Sequence, residues 1–191
     1  MRRRWLAWFC FGLGGVTLGF GGATGWQALH PPPVPQFAAH FNPKGNITDA
    51  LVSAIDQSQQ EIQVQAYGFT SPPIIDALLH ARTRGVQVSV LLDKSNEQPR
   101  YPAAHQLARA GIPVRIDHKP AIAHNKIILI DGKTVITGSF NFTLSAEKRN
   151  AENCLFVSGQ QTLFQQYSEY FGARWEQSRP VRPIKAAVPK V

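Results

Sequence analysis

The sequence predicts an α/β protein: a mixed, mostly parallel β-sheet flanked by helices on both faces. Two periodicities carry that expectation. Residues 46–60 place Ile47, Leu51 and Ile55 at four-residue spacing, the mark of an amphipathic helix, whereas 61–67 alternates, with Ile62, Val64 and Ala66 on one face of a strand. Such segments recur in the order αβαβαβ up to residue 116, with a helix-length stretch between successive strands, which favours parallel pairing. Length sets the third bound. A chain of 191 residues allows one domain with a sizeable core, not two ordinary ones.

The elements follow in order. Arg2, Arg3 and Arg4 open the chain, and residues 5–26 carry no charge, so 1–26 reads as a targeting segment outside the fold. Its 22 uncharged residues are long enough to span a bilayer, but seven glycines make it a weak anchor. Ala23-Thr24-Gly25 offers a small-x-small cleavage site. Export with cleavage, to the periplasm or beyond, is the favoured reading; the alternative is an inner-membrane anchor at 5–26, with membrane contact through the N-terminus. Residues 27–45 form a Pro-rich linker and domain entry, with an edge strand at 37–41. The domain proper is placed at 46–177. Its first helix, 46–60, has Asn46 or Thr48 available as cap; strand 61–67 follows, then a helix from Ser71-Pro72 to Gly85 with Pro at its first position. Strand 86–92, helix 101–110 stopped by Gly111, and strand 112–116 complete the run.

The chemistry-bearing residues lie in 123–153. His124 and Lys126 stand two apart ahead of Ile127–Ile130, so a strand would set an imidazole and an ammonium side by side on one face. Asp131-Gly132 makes a hairpin turn, and the returning strand 134–137 ends at Gly138, delivering Ser139 and Asn141 near His124 and Lys126. Glu152 opens a further strand, 152–157. Helix 162–175 closes the domain, with Leu163, Phe164, Tyr167, Tyr170 and Phe171 as its buried stripe. The tail, 178–191, is basic and Pro-containing and reads as disordered, or as an arm that gathers phosphates.

One titratable nitrogen, one fixed cation, one hydroxyl and one amide suit a phosphodiester. Lysine and asparagine hold non-bridging oxygens, and histidine attacks or shuttles protons near neutral pH. The spacing H-x-K-x4-D-x6-G-S-x-N, matched by His124, Lys126, Asp131, Gly138, Ser139 and Asn141, resembles the phospholipase D superfamily, and most of all its small bacterial single-motif endonucleases. The likeness runs from about residue 46 to about 175. It implies that His124 attacks phosphorus to give a phosphohistidine, that Lys126 and Asn141 bind phosphoryl oxygens, and that Ser139 hydrogen-bonds the phosphate or its neighbours. It also places Glu152 on the second ring nitrogen of the nucleophile. Asp131, about 16 Å along the strand from Lys126, reads as a structural turn residue. None of the other five histidines completes a second motif. The resemblance therefore implies a two-fold homodimer in which each chain brings one His124 to a shared site.

The remaining composition narrows substrate and cofactor. A balance of 20 Lys+Arg to 12 Asp+Glu gives a net charge of +8, or +5 without Arg2, Arg3 and Arg4, and favours polyanionic partners. Cys10 lies in the leader and Cys154 in an apolar run, so a cleaved chain holds no internal disulfide. No Cys/His cluster has metal-ligand spacing, and no cofactor or metal is expected. Nucleic acid, DNA or RNA, is the substrate the resemblance implies, and a phospholipid head group is the alternative. A non-catalytic nucleic-acid-binding module is a remote third.

Overall fold

The computed structural model describes residues 34–98 and 101–182. One eight-stranded sheet organises them, built from β1 (Gln36–Asn42), β2 (Glu61–Ala66), β3 (Gln87–Asp93), β4 (Val114–Asp117), β5 (Lys126–Ile130), β6 (Thr134–Gly138), β7 (Glu152–Ser158) and β8 (Arg179–Pro180). The spatial order is β1-β7-β6-β5-β2-β3-β4-β8. The helices are α1 (Ile47–Asp56), α2 (Pro72–Thr83), α3 (Ala103–Arg109), α4 (Leu144–Lys148) and α5 (Gln161–Glu176), and a 3-10 turn, Lys94–Glu97, follows β3.

The mixed α/β class holds, but the balance of pairings differs from the expectation of a mostly parallel sheet. Only β2–β3 and β3–β4 are parallel; β1–β7, β7–β6, β6–β5, β5–β2 and β4–β8 are antiparallel. Parallel pairing follows where a helix carries the chain back, as α2 and α3 do. After β4 an irregular segment returns the chain to the other side of β2, and tight reversals build the antiparallel half from there. The Asp131-Gly132 turn has φ 52° and 69°, the left-handed pair a tight hairpin requires.

Residues of β5 alternate between two apolar layers. Ile128 and Ile130 join Ile62, Val64, Val90 and Leu92 beneath α1, α2 and α3, where Leu51, Ile55, Leu78 and Leu107 are wholly buried. Ile127 and Leu129 face the opposite way, with Leu91 and Val135, against Phe171 of α5. Helices thus cover both faces. Each large side chain so buried contributes roughly 1.5–3 kcal/mol, and a strand packed on both sides loses its polar–apolar alternation. On α5, Leu163, Phe164, Tyr167 and Trp175 pack with Phe171, while Tyr170, placed in the stripe by the sequence, is 46 % exposed. A helix turns 100° per residue, so the 164–167–171–175 row leaves Tyr170 to one side.

Other boundaries shift. β1 pairs with β7 along all seven residues, so the edge strand expected at 37–41 is part of the sheet and the domain reaches back before residue 46. Asn46 is the N-cap of α1 but its side chain makes no capping bond; instead the Glu147 carboxylate accepts from the Thr48 N–H at 3.0 Å and the Thr48 hydroxyl at 2.7 Å. A carboxylate from a distant helix satisfies an orphan donor of the first turn. Helix α4 was not anticipated, and neither was β8, which pairs Arg179 and Pro180 with β4 inside the segment read as a disordered tail. The leader at 1–26, the first part of the linker through residue 33, and 183–191 of the tail lie outside the described residues. Among the described residues no helix is long and apolar enough to cross a membrane.

Candidate active site

The two ends of the β5–β6 hairpin differ in chemistry. At one end, β5 begins at Lys126, so His124 lies in the segment before it and not on the strand as the sequence suggested. The pair still meets: the Lys126 ammonium donates to the His124 carbonyl oxygen at 2.8 Å, and both side chains border Tyr67. The imidazole lies 4.8 Å from the Tyr67 ring, tilted 54°, and Lys126 Nζ is 5.4 Å from the same ring centre. His124 is exposed, whereas Lys126 is 6 % exposed. Burial lowers the Lys126 pKa, opposed in part by the negative charge of Glu152. An ammonium has three N–H donors. One is used on His124, and two remain for an anion.

Backbone contacts fix this segment from below. Tyr67 N–H donates to the Asn125 carbonyl at 3.0 Å, and Gln65 Nε2 donates to Asn125 Oδ1 at 3.2 Å, so the end of β2 grips the residue between histidine and lysine. The buried Asp93 carboxylate accepts from the Ala123 N–H at 2.7 Å and from the Ser95 N–H at 2.9 Å, tying the end of β3 to the residue before His124. Asn96 Nδ2 donates to the Tyr67 carbonyl at 2.7 Å.

The other half comes from the segment after β6. Ser139-Phe140-Asn141-Phe142 alternates polar and aromatic, and Phe140 and Phe142 are 1 % and 2 % exposed, so the two rings anchor the segment and leave serine and asparagine on its outer side. Asn141 Oδ1 accepts from the Gly68 N–H at 3.3 Å, which leaves its NH2 to donate. A Cβ on Gly138 would sit 2.3 Å from the Asn153 carbonyl oxygen, and only glycine fits. Ser139 donates to Glu152 Oε2 at 2.5 Å and accepts from the Asn153 N–H at 3.0 Å; Asn150 Nδ2 donates to Glu152 Oε1 at 2.9 Å. Within one chain, then, Glu152 is held by Ser139 and Asn150, not by the imidazole on which the resemblance places it.

At the far end of the hairpin Asp131 is a clamp. Its carboxylate accepts from the backbone N–H groups of Gln59 at 3.0 Å, Gln60 at 2.8 Å and Glu61 at 3.0 Å, pinning the turn to the start of β2. Burial alone would raise its pKa, but these three donors and Lys133 prevail and lower it. A groove of about 580 Å³ near this end, bordered by His40, Asp49, Lys133 and Phe156, includes none of His124, Lys126, Ser139 or Asn141. Burial pushes the Cys154 thiol up to about 12, leaving it inert at neutral pH. Among the described residues no group of three or more His, Cys, Asp and Glu side chains is placed to hold a metal ion.

Tyr67, Asp93, Asn96, Asn125 and Asn150 were not singled out in the sequence. A topological rule points to the first two, because ligands of open α/β sheets sit outside the carboxyl ends of parallel strands, and Tyr67 directly follows β2 while Asp93 ends β3.

Known proteins resemble this chain in sequence and in fold. Residues 51–175 match the family described as cardiolipin synthase, PLD-like domain. A protein named phospholipase D from Rickettsia conorii is 48 % identical over 121 residues, covering 63 % of this chain and 60 % of that protein. Mitochondrial cardiolipin hydrolase of Homo sapiens is 30 % identical over 132 residues, 69 % of this chain and 52 % of that protein. The chain therefore spans about three fifths or less of these two relatives. The crystal structure of Nuc from Salmonella typhimurium, a phospholipase D family member, matches with a TM-score of 0.75 at 37 % identity, covering 78 % of this chain and 99 % of that one. NucT from Helicobacter pylori, at 19 % identity and a TM-score of 0.69, shares the fold. With the family model spanning most of the domain, and His124, Lys126, Ser139 and Asn141 brought to one end of its sheet, the chain belongs to the phospholipase D superfamily.

Proposed function

We propose that the protein is a metal-independent phosphodiesterase that hydrolyses DNA, or RNA, through a phosphohistidine. The supporting observation is an exposed imidazole beside a buried ammonium with two free donors, and an asparagine NH2 held nearby. In this reading His124 forms a nitrogen–phosphorus bond as the bond to the leaving oxygen breaks, and a second histidine delivers the proton that oxygen needs. That second histidine then takes a proton from water, whose oxygen displaces His124 from phosphorus. Lys126 and Asn141 stabilise the charge that gathers on the non-bridging oxygens.

One chain carries a single copy of the motif, so the second histidine is His124 of another chain in an isologous pair. An open apolar face supports such pairing. Phe37 and Phe41, both 64 % exposed, and Leu155, 39 % exposed, share the face of β1 and β7 that α5 leaves uncovered, and Phe41 lies opposite Asn153 beside Ser139. Two basic sites facing one another also favour an oxyanion between them. The Arg2–Arg4 start and the uncharged 5–26 stretch support export to the periplasm or beyond, with an inner-membrane anchor as the alternative.

The net charge of +8 favours nucleic acid. A phospholipid is the second reading, favoured by the names of the relatives and by two exposed apolar side chains near the site, Ile122 at 57 % and Leu144 at 65 %. Parallel assays of the full chain on DNA, on RNA and on phosphatidylcholine and cardiolipin vesicles, all with chelator present, separate them. Cleaved nucleic acid with intact lipid is the expected result; head-group release with intact nucleic acid reverses the order, and loss of all turnover on chelation contradicts the mechanism.

A further inference from the structure

A nucleophilic imidazole must hold one orientation, and the usual device is a hydrogen bond to its second nitrogen. Within this chain the His124 ring makes no such bond among the described residues, and the nearby carboxylate, Glu152, is held by Ser139 and Asn150. What the imidazole does meet is the Tyr67 ring, at 4.8 Å. The same ring lies 5.4 Å from Lys126 Nζ, within cation–π range.

Tyr67 is itself held firmly. Its N–H donates to Asn125 at 3.0 Å and its carbonyl accepts from Asn96 at 2.7 Å, so the ring is referenced to the backbone between histidine and lysine. It is not a core aromatic: Phe69, Phe140 and Phe142 fill that role at 0–2 % exposure, whereas Tyr67 is half-buried. Its phenol oxygen makes no hydrogen bond among the described residues. The Lys126 ammonium lies over the ring, and the imidazole meets the ring tilted by 54°.

We infer that the ring of Tyr67 is the positioning element of this site, holding the His124 imidazole and the Lys126 ammonium in one arrangement without touching the phosphate. The inference rests on the phosphodiesterase reading above. It assigns the work to the aromatic face and none to the hydroxyl, so phenylalanine should serve and leucine should not. Because Tyr67 acts through the nucleophile, its loss lowers kcat far more than it changes KM.

The test compares full-length wild type, Tyr67→Phe and Tyr67→Leu. One readout is turnover of bis(4-nitrophenyl) phosphate, a phosphodiester that is neither nucleic acid nor lipid. The other is the NMR shift of the His124 ring protons in histidine-labelled protein, assigned by their loss in His124→Ala. Expected are an upfield ring-current shift kept in Tyr67→Phe and lost in Tyr67→Leu, with kcat unchanged in the first and lowered on the order of 10²-fold in the second. Wild-type kcat in Tyr67→Leu, or equal damage in both variants, overturns the inference, as does a His124 resonance that Tyr67→Leu leaves in place. An inert wild type overturns the phosphodiesterase reading instead, and the His124 shift still decides the contact.

Discussion

The two ends of one hairpin teach opposite lessons. His124 and Asp131 belong to the same sequence motif and flank the same strand, yet Asp131 spends its carboxylate on three backbone N–H groups while the His124 ring bonds to none of the described residues. A polar group whose hydrogen bonds are satisfied by the protein holds structure; one left unsatisfied at the surface is available to a ligand. Lys126 stands between these cases, with one donor used and two free. Distance along the strand sets Asp131 apart from the His124 end, but it does not say what each group holds. The hydrogen-bond accounts do.

The two ends should differ most in turnover. His124→Ala should lower turnover by about 10⁴-fold or more while leaving thermal stability unchanged. Asp131→Ala should do the reverse, leaving turnover of folded protein intact and lowering stability by about 1–3 kcal/mol in denaturant titration. An inactive, stable Asp131→Ala would erase the distinction.

A second contrast concerns what each end needs from outside the chain. The His124 end is half a site in the proposed dimer, whereas the Asp131 clamp is complete within one chain. Phe41→Asp, which places a charge in the open face of β1, should shift the sedimenting species from dimer to monomer and abolish turnover without unfolding the domain. A monomeric, fully active wild type would remove the need for a second histidine.

The two ends also differ in how they respond to pH. Lys126 has a lowered pKa, so its cation is lost as pH rises through a value below the usual lysine range near 10.4, and the alkaline limb of kcat should fall there. Glu152→Gln removes the charge that partly restores the pKa, moving that limb to lower pH. The smallest effect concerns Asp131. Its folded pKa is depressed, so the stability advantage of wild type over Asp131→Ala should be full above roughly pH 4 and shrink as pH falls through the lower folded value.

Much of this was legible in the sequence, for reasons that particular residues make plain. The four-residue spacing of Ile47, Leu51 and Ile55 and the alternation of Ile62, Val64 and Ala66 are local signals, and α1 and β2 follow them. Gly138 stands where a side chain would strike Asn153, so its place in the spacing records a backbone crossing. Less legible were features decided by partners distant in the chain. Glu147 caps a helix 99 residues earlier, Asp93 holds a residue 30 positions on, and Tyr67 reaches His124 only because β2 and β5 are neighbours. The β5–β6 hairpin was legible in Asp131-Gly132, but the pairing of β5 with β2 and of β7 with β6 and β1 was not, because no helix-length segment announces where an irregular connection such as 118–125 will return the chain.

In the proposed reaction His124 is the group that attacks phosphorus. Rapid mixing with bis(4-nitrophenyl) phosphate, quenching in alkali to preserve a nitrogen–phosphorus bond, and mass spectrometry of the digested protein test it directly. A phosphoryl adduct is expected on the peptide containing His124 and should be absent in His124→Ala. An adduct on another residue, or turnover that persists in His124→Ala, would contradict it.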